Sequence, residues 1–167
     1  MNKEVQIIGA GLAGCEAALQ LADRGWLVKL YEMRPGKMTP AHQTGKLAEL
    51  VCSNSLKSLR QDTAAGLLKA ELKLLGCKLL EIALETAVPA GHALAVDRDA
   101  FADKVTELIA THPKIELINT EVTDLPDGYI ILTGGPLNSD ALMQSLIRQL
   151  REQHLYFFDA IAPIVSA

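Results

Sequence analysis

Val5-Gln6-Ile7-Ile8, then Gly9-Ala10-Gly11-Leu12-Ala13-Gly14, then an alanine- and leucine-rich stretch closing on Leu27-Val28-Lys29-Leu30-Tyr31-Glu32, is the run that decides the fold. Strand, G-x-G-x-x-G turn, helix, second strand and terminal acid follow one another within the first thirty-two residues. A lone glycine pattern means little, but the whole unit in this order is the signature of a dinucleotide-binding βαβ element. Each glycine has a physical task. Gly9 allows the tight turn off the strand, Gly11 lets backbone approach a pyrophosphate, and Gly14 lets the helix lie close on the sheet. The helix start adds unpaired N–H groups and a partial positive charge.

Glu32 lies eighteen residues after Gly14, where a carboxylate can accept hydrogen bonds from an adenosine ribose. The same charge repels a 2′-phosphate, so the expected dinucleotide is FAD or NAD and not NADP. The expected cofactor contacts are Gly9, Ala10, Gly11, Leu12, Ala13, Gly14 and Glu32. The plainer alternative is an ordinary glycine turn with Glu32 solvated at a strand end.

Downstream, residues 12–24 carry a small-residue apolar face and stop at Gly25, as a helix does. Residues 33–55 show no sustained periodicity and contain Pro35, Gly36, Pro40 and Gly45, so they read as a long functional connection. Helices are expected over 64–75, ended by Gly76, and over 78–86, before Pro89-Ala90-Gly91 breaks the chain. Another helix spans 99–111, capped by Asp97 or Asp99. Strands are expected at 115–118, 121–125 and 129–133, then a helix capped by Asn138 or Ser139 and running to about Gln153, and a last strand at Tyr156-Phe157-Phe158. Strands alternating with helices imply an α/β, Rossmann-like FAD/NAD(P)-binding fold with a mainly parallel sheet. Residues 1–167 form a single domain that includes the long loop 33–55 and the helical segment 64–87. Leu132-Thr133-Gly134-Gly135 ends a late strand on bare backbone, and Gly134 there is a second expected cofactor contact that favours FAD over NAD.

Composition sets the outer bounds. Of 167 residues, 49% are hydrophobic and 22% charged, which suits a soluble globular domain with a real core. The net charge of −4 argues against a polyanion binder as a whole. Residues 34–78 nevertheless hold eight Lys/Arg against three Asp/Glu. That surplus either meets nucleic-acid phosphates or is simply solvated. Cys15, Cys52 and Cys77 have no metal-like spacing, so no metal site and no disulfide framework is expected, and the compartment reads as reducing. No apolar run is long enough for a bilayer and no leader precedes the first strand, giving a cytoplasmic, non-membrane expectation.

Three further segments carry a resemblance: Glu32-Met33-Arg34-Pro35, Met38-Thr39-Pro40-Ala41-His42, and Leu50-Val51-Cys52-Ser53-Asn54-Ser55. With Val88-Pro89-Ala90-Gly91, Ala93-Leu94-Ala95-Val96-Asp97-Arg98, Gly135-Pro136-Leu137 and Ala162-Pro163-Ile164-Val165, the chain resembles the amino-terminal part of the folate- and FAD-dependent tRNA (uracil-5-)-methyltransferases. The resemblance implies transfer of a methylene from 5,10-methylenetetrahydrofolate to carbon 5 of a T-loop uridine in tRNA. It further implies reduced FAD as hydride donor and NAD(P)H as the source of flavin reduction. Members of that family are much longer, and their flavin domain closes with carboxy-terminal segments not found here. The isolated chain is therefore expected to hold an incomplete fold and not to turn over. The neighbouring reading, a flavin subunit acting on tRNA wobble uridines, shares the opening glycine pattern but not Val-Cys-Ser-Asn-Ser. A non-catalytic dinucleotide-binding fragment is the reading from another class.

Cys52 is the expected catalytic side chain, with two roles open. Its thiolate either adds to carbon 6 of the uracil or lies against the flavin and assists methylene transfer. Lys46, Lys57 and His42 are the cations near it in sequence that would favour a thiolate. The family has a later cysteine with its own claim to the nucleophile role, absent from this chain. Arg34 is expected either at the adenosine moiety or a phosphate, or solvated in its loop. Cys15 is expected to pack and Cys77 to have no role. Glu16 is read as structural with a minor part near the cofactor. Asp97 is expected as a cap, and Arg98 either opens the helix or reaches the pocket.

Overall fold

The computed structural model describes residues 3–150. Strand β1, Glu4–Ile8, leads through helix α1, Leu12–Asp23, to β2, Leu27–Tyr31. After a long irregular connection come β3, Ser55–Ser58, then α2, Ala64–Leu74, and α3, Lys78–Glu85. Short strands β4, Ala87–Val88, and β5, Ala93–Val96, precede α4, Arg98–Thr111, and β6, Ile115–Ile118. β7, Ile130–Leu132, a 3-10 turn at Gly135–Leu137 and α5, Asp140–Leu150, complete the described chain. The expected strand at Tyr156-Phe157-Phe158 and the helix end at Gln153 lie outside the described residues.

The main sheet has the order β6-β2-β1-β7 and all of its pairings are parallel. This is the expected α/β, Rossmann-like arrangement. Side chains alternate across it as a pleat demands. Val5, Ile7, Val28 and Leu30 face the larger core with α1, α3 and α4. Ile8 faces the other way and packs with Leu142 and Leu146 of α5. Both faces are therefore covered, as parallel sheets require.

Ile118, Tyr31, Ile8 and Leu132 fall in one register row across the four strands. The chain leaves all four strands at the same edge, at Asn119, Glu32, Gly9 and Thr133. Two glycines make this edge compact. Gly9 has φ +102°, and a Cβ there would stand 2.9 Å from the Gly134 nitrogen. A Cβ on Gly14 would run into the Gly9 carbonyl and stand 2.8 Å from Thr133 Oγ1. The Thr133 hydroxyl donates toward both the Ile8 and Gly9 carbonyls, at 2.9 and 2.6 Å, pinning the end of β7 onto the glycine turn.

Three differences from the sequence expectation have local causes. Residues 121–125 form no strand: the row of partners ends at Ile118, and Val122 and Leu125 instead pack against the small core beneath α5. A second, three-stranded sheet of order β3-β5-β4 was not expected. Pro89-Ala90-Gly91 is the bend between antiparallel β4 and β5, not merely a break. Its strands are two to four residues long, too short for periodicity to separate them from loop or helix. The helix caps resolve as Asp97, whose carboxylate accepts from Ala100 N at 3.0 Å, and Ser139, whose hydroxyl accepts from Leu142 N at 3.4 Å.

Gly14→Ala should therefore cost about 2–3 kcal/mol, because the obstacle is backbone and cannot rotate away. A urea unfolding midpoint unchanged from that of the unaltered chain would rule out this close approach.

Candidate functional site

At the shared strand edge lies a cavity of about 510 Å³. Gly9, Ala10, Gly11, Leu12, Glu32, Arg34, Cys52 and Gly134 line it. Ala13 and Gly14 do not: Gly14 packs behind the turn against Gly9 and Thr133, and Ala13 is exposed on α1. Thus most of the residues singled out in sequence converge on one volume, although they are spread over more than a hundred positions.

The glycine turn faces this volume with bare backbone. Among the described residues a Cβ built on Gly11 would meet nothing within 4 Å, so their packing does not require glycine there. Gly11 is also the N-cap of α1, and no side chain caps that helix. Its first-turn N–H groups and positive dipole end are left for an anion.

Arg34 is the largest fully buried side chain, only 1% exposed. Its guanidinium forks onto Glu32, with Nε donating to Oε1 at 2.9 Å and Nη2 to Oε2 at 3.1 Å. Nη1 donates to Glu49 Oε2 and to the Thr44 carbonyl, each at 3.2 Å. Glu32 also accepts from Ala10 N and Arg34 N, both at 3.1 Å. Burial pushes the Glu32 carboxyl up, but the hydrogen bonds and charge of Arg34 outweigh it and hold the group below its ordinary value of 4.5. Glu49 behaves alike: burial raises it, while bonds from Gln43 N, Thr44 N and the Thr44 hydroxyl bring it lower overall. Arg34 is accordingly not a solvated loop residue; it is the buried partner of two carboxylates at the cavity wall.

Cys52 is exposed and faces the cavity. The neighbours Ser53 and Asn54 have a positional explanation. Val96 N donates to the Asn54 carbonyl at 2.9 Å, and Asn54 Nδ2 donates to the Val96 carbonyl at 3.1 Å. Asn54 thereby fastens the segment to β5 and sets Cys52 at the cavity wall. Of the three candidate cations, His42 and Lys57 line the same cavity. Lys46 does not; it pairs with Asp103 at 2.8 Å and Asp99 at 3.6 Å on α4. Burial, then the Arg34 charge, push the His42 imidazole below its ordinary value. Its Nδ1 lies 2.6 Å from Thr39 Oγ1.

Other expected residues go elsewhere. Cys15 is fully buried, and burial first, with the Glu32 charge second, pushes its thiol up to about 12. Cys77 is the half-buried N-cap of α3, and burial raises its thiol as well. Glu16 is not near the cavity. It accepts from Lys78 N at 3.1 Å and Leu79 N at 2.9 Å, capping α3 from α1. Arg98 opens α4 and does not line the cavity. The basic surplus of 34–78 is largely internal: five of its eight cations, Arg34, Lys37, Lys46, Arg60 and Lys78, pair with carboxylates. Lys69 donates to the Ser58 and Ala65 carbonyls.

Sequence reasoning missed Thr120, Glu121 and Val122, which follow β6, and Asn138 and Ser139 beyond β7. Their signal was positional: in open parallel sheets, ligands bind beyond the carboxyl ends of the strands. Among the described residues no His/Cys/Asp/Glu group is arranged to hold a metal, and no helix is long and apolar enough to cross a membrane.

A family profile described as "Glucose inhibited division protein A" matches residues 4–167. A Koribacter versatilis protein named methylenetetrahydrofolate–tRNA-(uracil-5-)-methyltransferase TrmFO is 58% identical over 169 residues, covering 100% of this chain and 38% of that protein. The Bacillus subtilis protein of the same name is 55% identical over 167 residues, covering 99% of this chain and 38% of that one. The chain thus spans about 38% of the length of these curated relatives. Among solved structures, Aquifex aeolicus GidA superposes with a TM-score of 0.62 at 16% identity, over 79% of this chain and 25% of that one, a likeness of fold.

Arg34→Leu should cost about 3–5 kcal/mol at pH 7, because two buried carboxylates lose their counter-charge. The pH dependence gives the sign. In the unaltered chain Glu32 and Glu49 lie below 4.5, so their stabilisation is present above that value and is lost as pH falls through the depressed pKa. In Arg34→Leu the guanidinium bonds and charge are gone while burial and the two backbone N–H bonds remain, so the Glu32 carboxyl rises relative to the parent, and acidification from pH 7 toward 5 should narrow the gap between variant and parent. Thermal melts across that range test this; a gap that widens with acid would contradict the pairing.

Proposed function

Because the chain belongs to the family described as glucose inhibited division protein A, we propose that it is the FAD-binding part of a methylenetetrahydrofolate–tRNA-(uracil-5-)-methyltransferase. The observation that carries cofactor binding is the glycine turn: Gly11 presents an open Cβ position, and α1 an uncapped N-terminus, to a cavity at the strand edge. About 300–1,000 Å³ is the usual range for cofactor pockets, and this one falls within it. Support for the methyl-transfer reading comes from relatives 53–58% identical over nearly the whole chain and named for that reaction.

In this reading the Gly9–Gly11 backbone and the first turn of α1 receive the pyrophosphate, and Glu32, held ionised by Arg34, receives the adenosine ribose. The Glu32 charge repels a 2′-phosphate. Cys52 and Gly134 border the reacting half of the cofactor. Reduced FAD, when bound, supplies the hydride that turns a transferred methylene into a methyl group. Cys52 then has the two roles its chemistry allows, addition to carbon 6 of a T-loop uracil or assistance at the folate-derived carbon. NAD(P)H as reductant, 5,10-methylenetetrahydrofolate as carbon donor and tRNA as substrate belong to the same proposal for a protein of the relatives' full length.

The desalted chain should bind added FAD and keep its absorbance bands through gel filtration. Gly11→Val should weaken that binding by about a hundredfold, some 2.7 kcal/mol, while its melting temperature stays within about 2 °C, since the new side chain meets only open space. Retention of FAD by Gly11→Val with unaltered affinity would place the dinucleotide elsewhere. Transfer of labelled carbon from 5,10-methylenetetrahydrofolate to a T-loop RNA, present with a protein of the relatives' full length and absent without FAD, tests the wider reading.

A further inference from the structure

An ionised carboxylate offers about four acceptor positions. Glu32 already receives four protein donors: Ala10 N, Arg34 N, Arg34 Nε and Arg34 Nη2. A ribose diol can engage this carboxylate only by replacing one of them. The two backbone donors are fixed by the turn and the strand end, so the replaceable donors are those of the Arg34 fork. A guanidinium 1% exposed cannot turn to water for compensation. The one other carboxylate it touches is Glu49, at 3.2 Å.

Glu49 is itself built into the cavity wall. Its carboxylate closes the 43–49 loop by accepting from Gln43 N at 2.9 Å, Thr44 N at 3.1 Å and Thr44 Oγ1 at 2.9 Å. Beside it, Ala48 N donates to the Ala10 carbonyl at 2.9 Å, and Leu47 N to Thr106 Oγ1 at 3.0 Å. The next residues, Leu50, Val51 and Cys52, line the cavity. A shift of the guanidinium toward Glu49 is thus delivered to a segment anchored on both sides of the site.

We propose that Arg34 and Glu49 are positioning residues that couple occupation of the ribose site at Glu32 to the placement of Cys52. This rests on the cofactor reading above. Glu49 takes up the buried guanidinium charge as a ribose displaces it from Glu32, and the Glu49 loop carries that movement three residues along the chain to the thiol.

The test uses the 167-residue chain with Cys77→Ser, leaving Cys52 as the accessible thiol because Cys15 is buried. ADP serves as the probe, since it fills the ribose and pyrophosphate positions without a flavin, and Cys52 is titrated with an aromatic disulfide reagent. Saturating ADP should change the Cys52 labelling rate by about fivefold or more, in the ordinary range for coupled sites. Glu49→Gln should abolish that change and weaken FAD and ADP binding by about tenfold. Glu49→Asp should restore part of both, and Thr44→Ala, which removes the hydroxyl bond to Glu49 and the one accepted from Lys46 N but keeps the Glu49 charge, should show a smaller loss of about two- to threefold. The Thr44 variant decides the matter if Glu49→Gln does not fold. An ADP effect of equal size in the Glu49 and Thr44 variants at saturation would mean direct covering of Cys52 and would overturn the relay alone. Failure of the unaltered chain to bind either FAD or ADP would overturn the cofactor reading and the relay together.

Discussion

A single buried cation holds this site together. Arg34 has left water almost completely, and such a charge is tolerable only if its donors are met and opposite charge is close. Glu32 from the end of β2 and Glu49 from the long connection meet that demand together, with the Thr44 carbonyl completing the set. The result is that a connection of more than twenty residues, which carries no helix or strand, is nevertheless fixed against the sheet edge. Asn119 adds a further tie from beyond β6, donating to the Arg34 carbonyl at 2.8 Å. Remove the guanidinium and the strand end, the loop and the cavity wall lose their common anchor.

The second constraint is steric. Four parallel strands end in one register row, and the glycine turn, the Thr133 hydroxyl and Gly134 stack there with no room for a side chain between them. Compactness on the protein side leaves bare backbone on the cavity side. Gly9 and Gly14 are glycines because of what lies behind them. Gly11 is different: none of the described residues lies where its Cβ would be, and the proposed cofactor would supply the reason. The same turn therefore separates the glycines that the fold needs from the one that the proposed cofactor would need.

Local signals carried the fold a long way. The glycine turn, the alternation of Val5-Gln6-Ile7-Ile8 and the stops at Gly25 and Gly76 are short-range features, and the elements they announce are present. Glu32 and Gly134 were legible as candidates because motif spacing brings them to strand ends, whereas Cys52, in the connection before β3, stood out only through the family resemblance; all three line one cavity. The hairpin of β4 and β5 and its pairing with β3 were not readable. Two to four residues give too little pattern, and β5 pairs with β3 across 35 to 40 positions. The segment 121–125 misled for the opposite reason, since its apolar residues serve a core and not a ladder.

What the sequence by itself determined is the class of fold and the strand-end edge at which most of the candidate residues gather. These follow from backbone sterics and short-range periodicity, which act over a few residues and are written locally. Only the tertiary structure decided which charges are spent internally. It made Arg34, expected at the adenosine moiety, at a phosphate or in solvent, the counter-ion of Glu32 and Glu49, sent Lys46 to α4 and Glu16 to the start of α3, and left Lys57 and His42 lining the same cavity as Cys52. Charge pairing depends on distance in space and on burial, and neither is a function of separation along the chain.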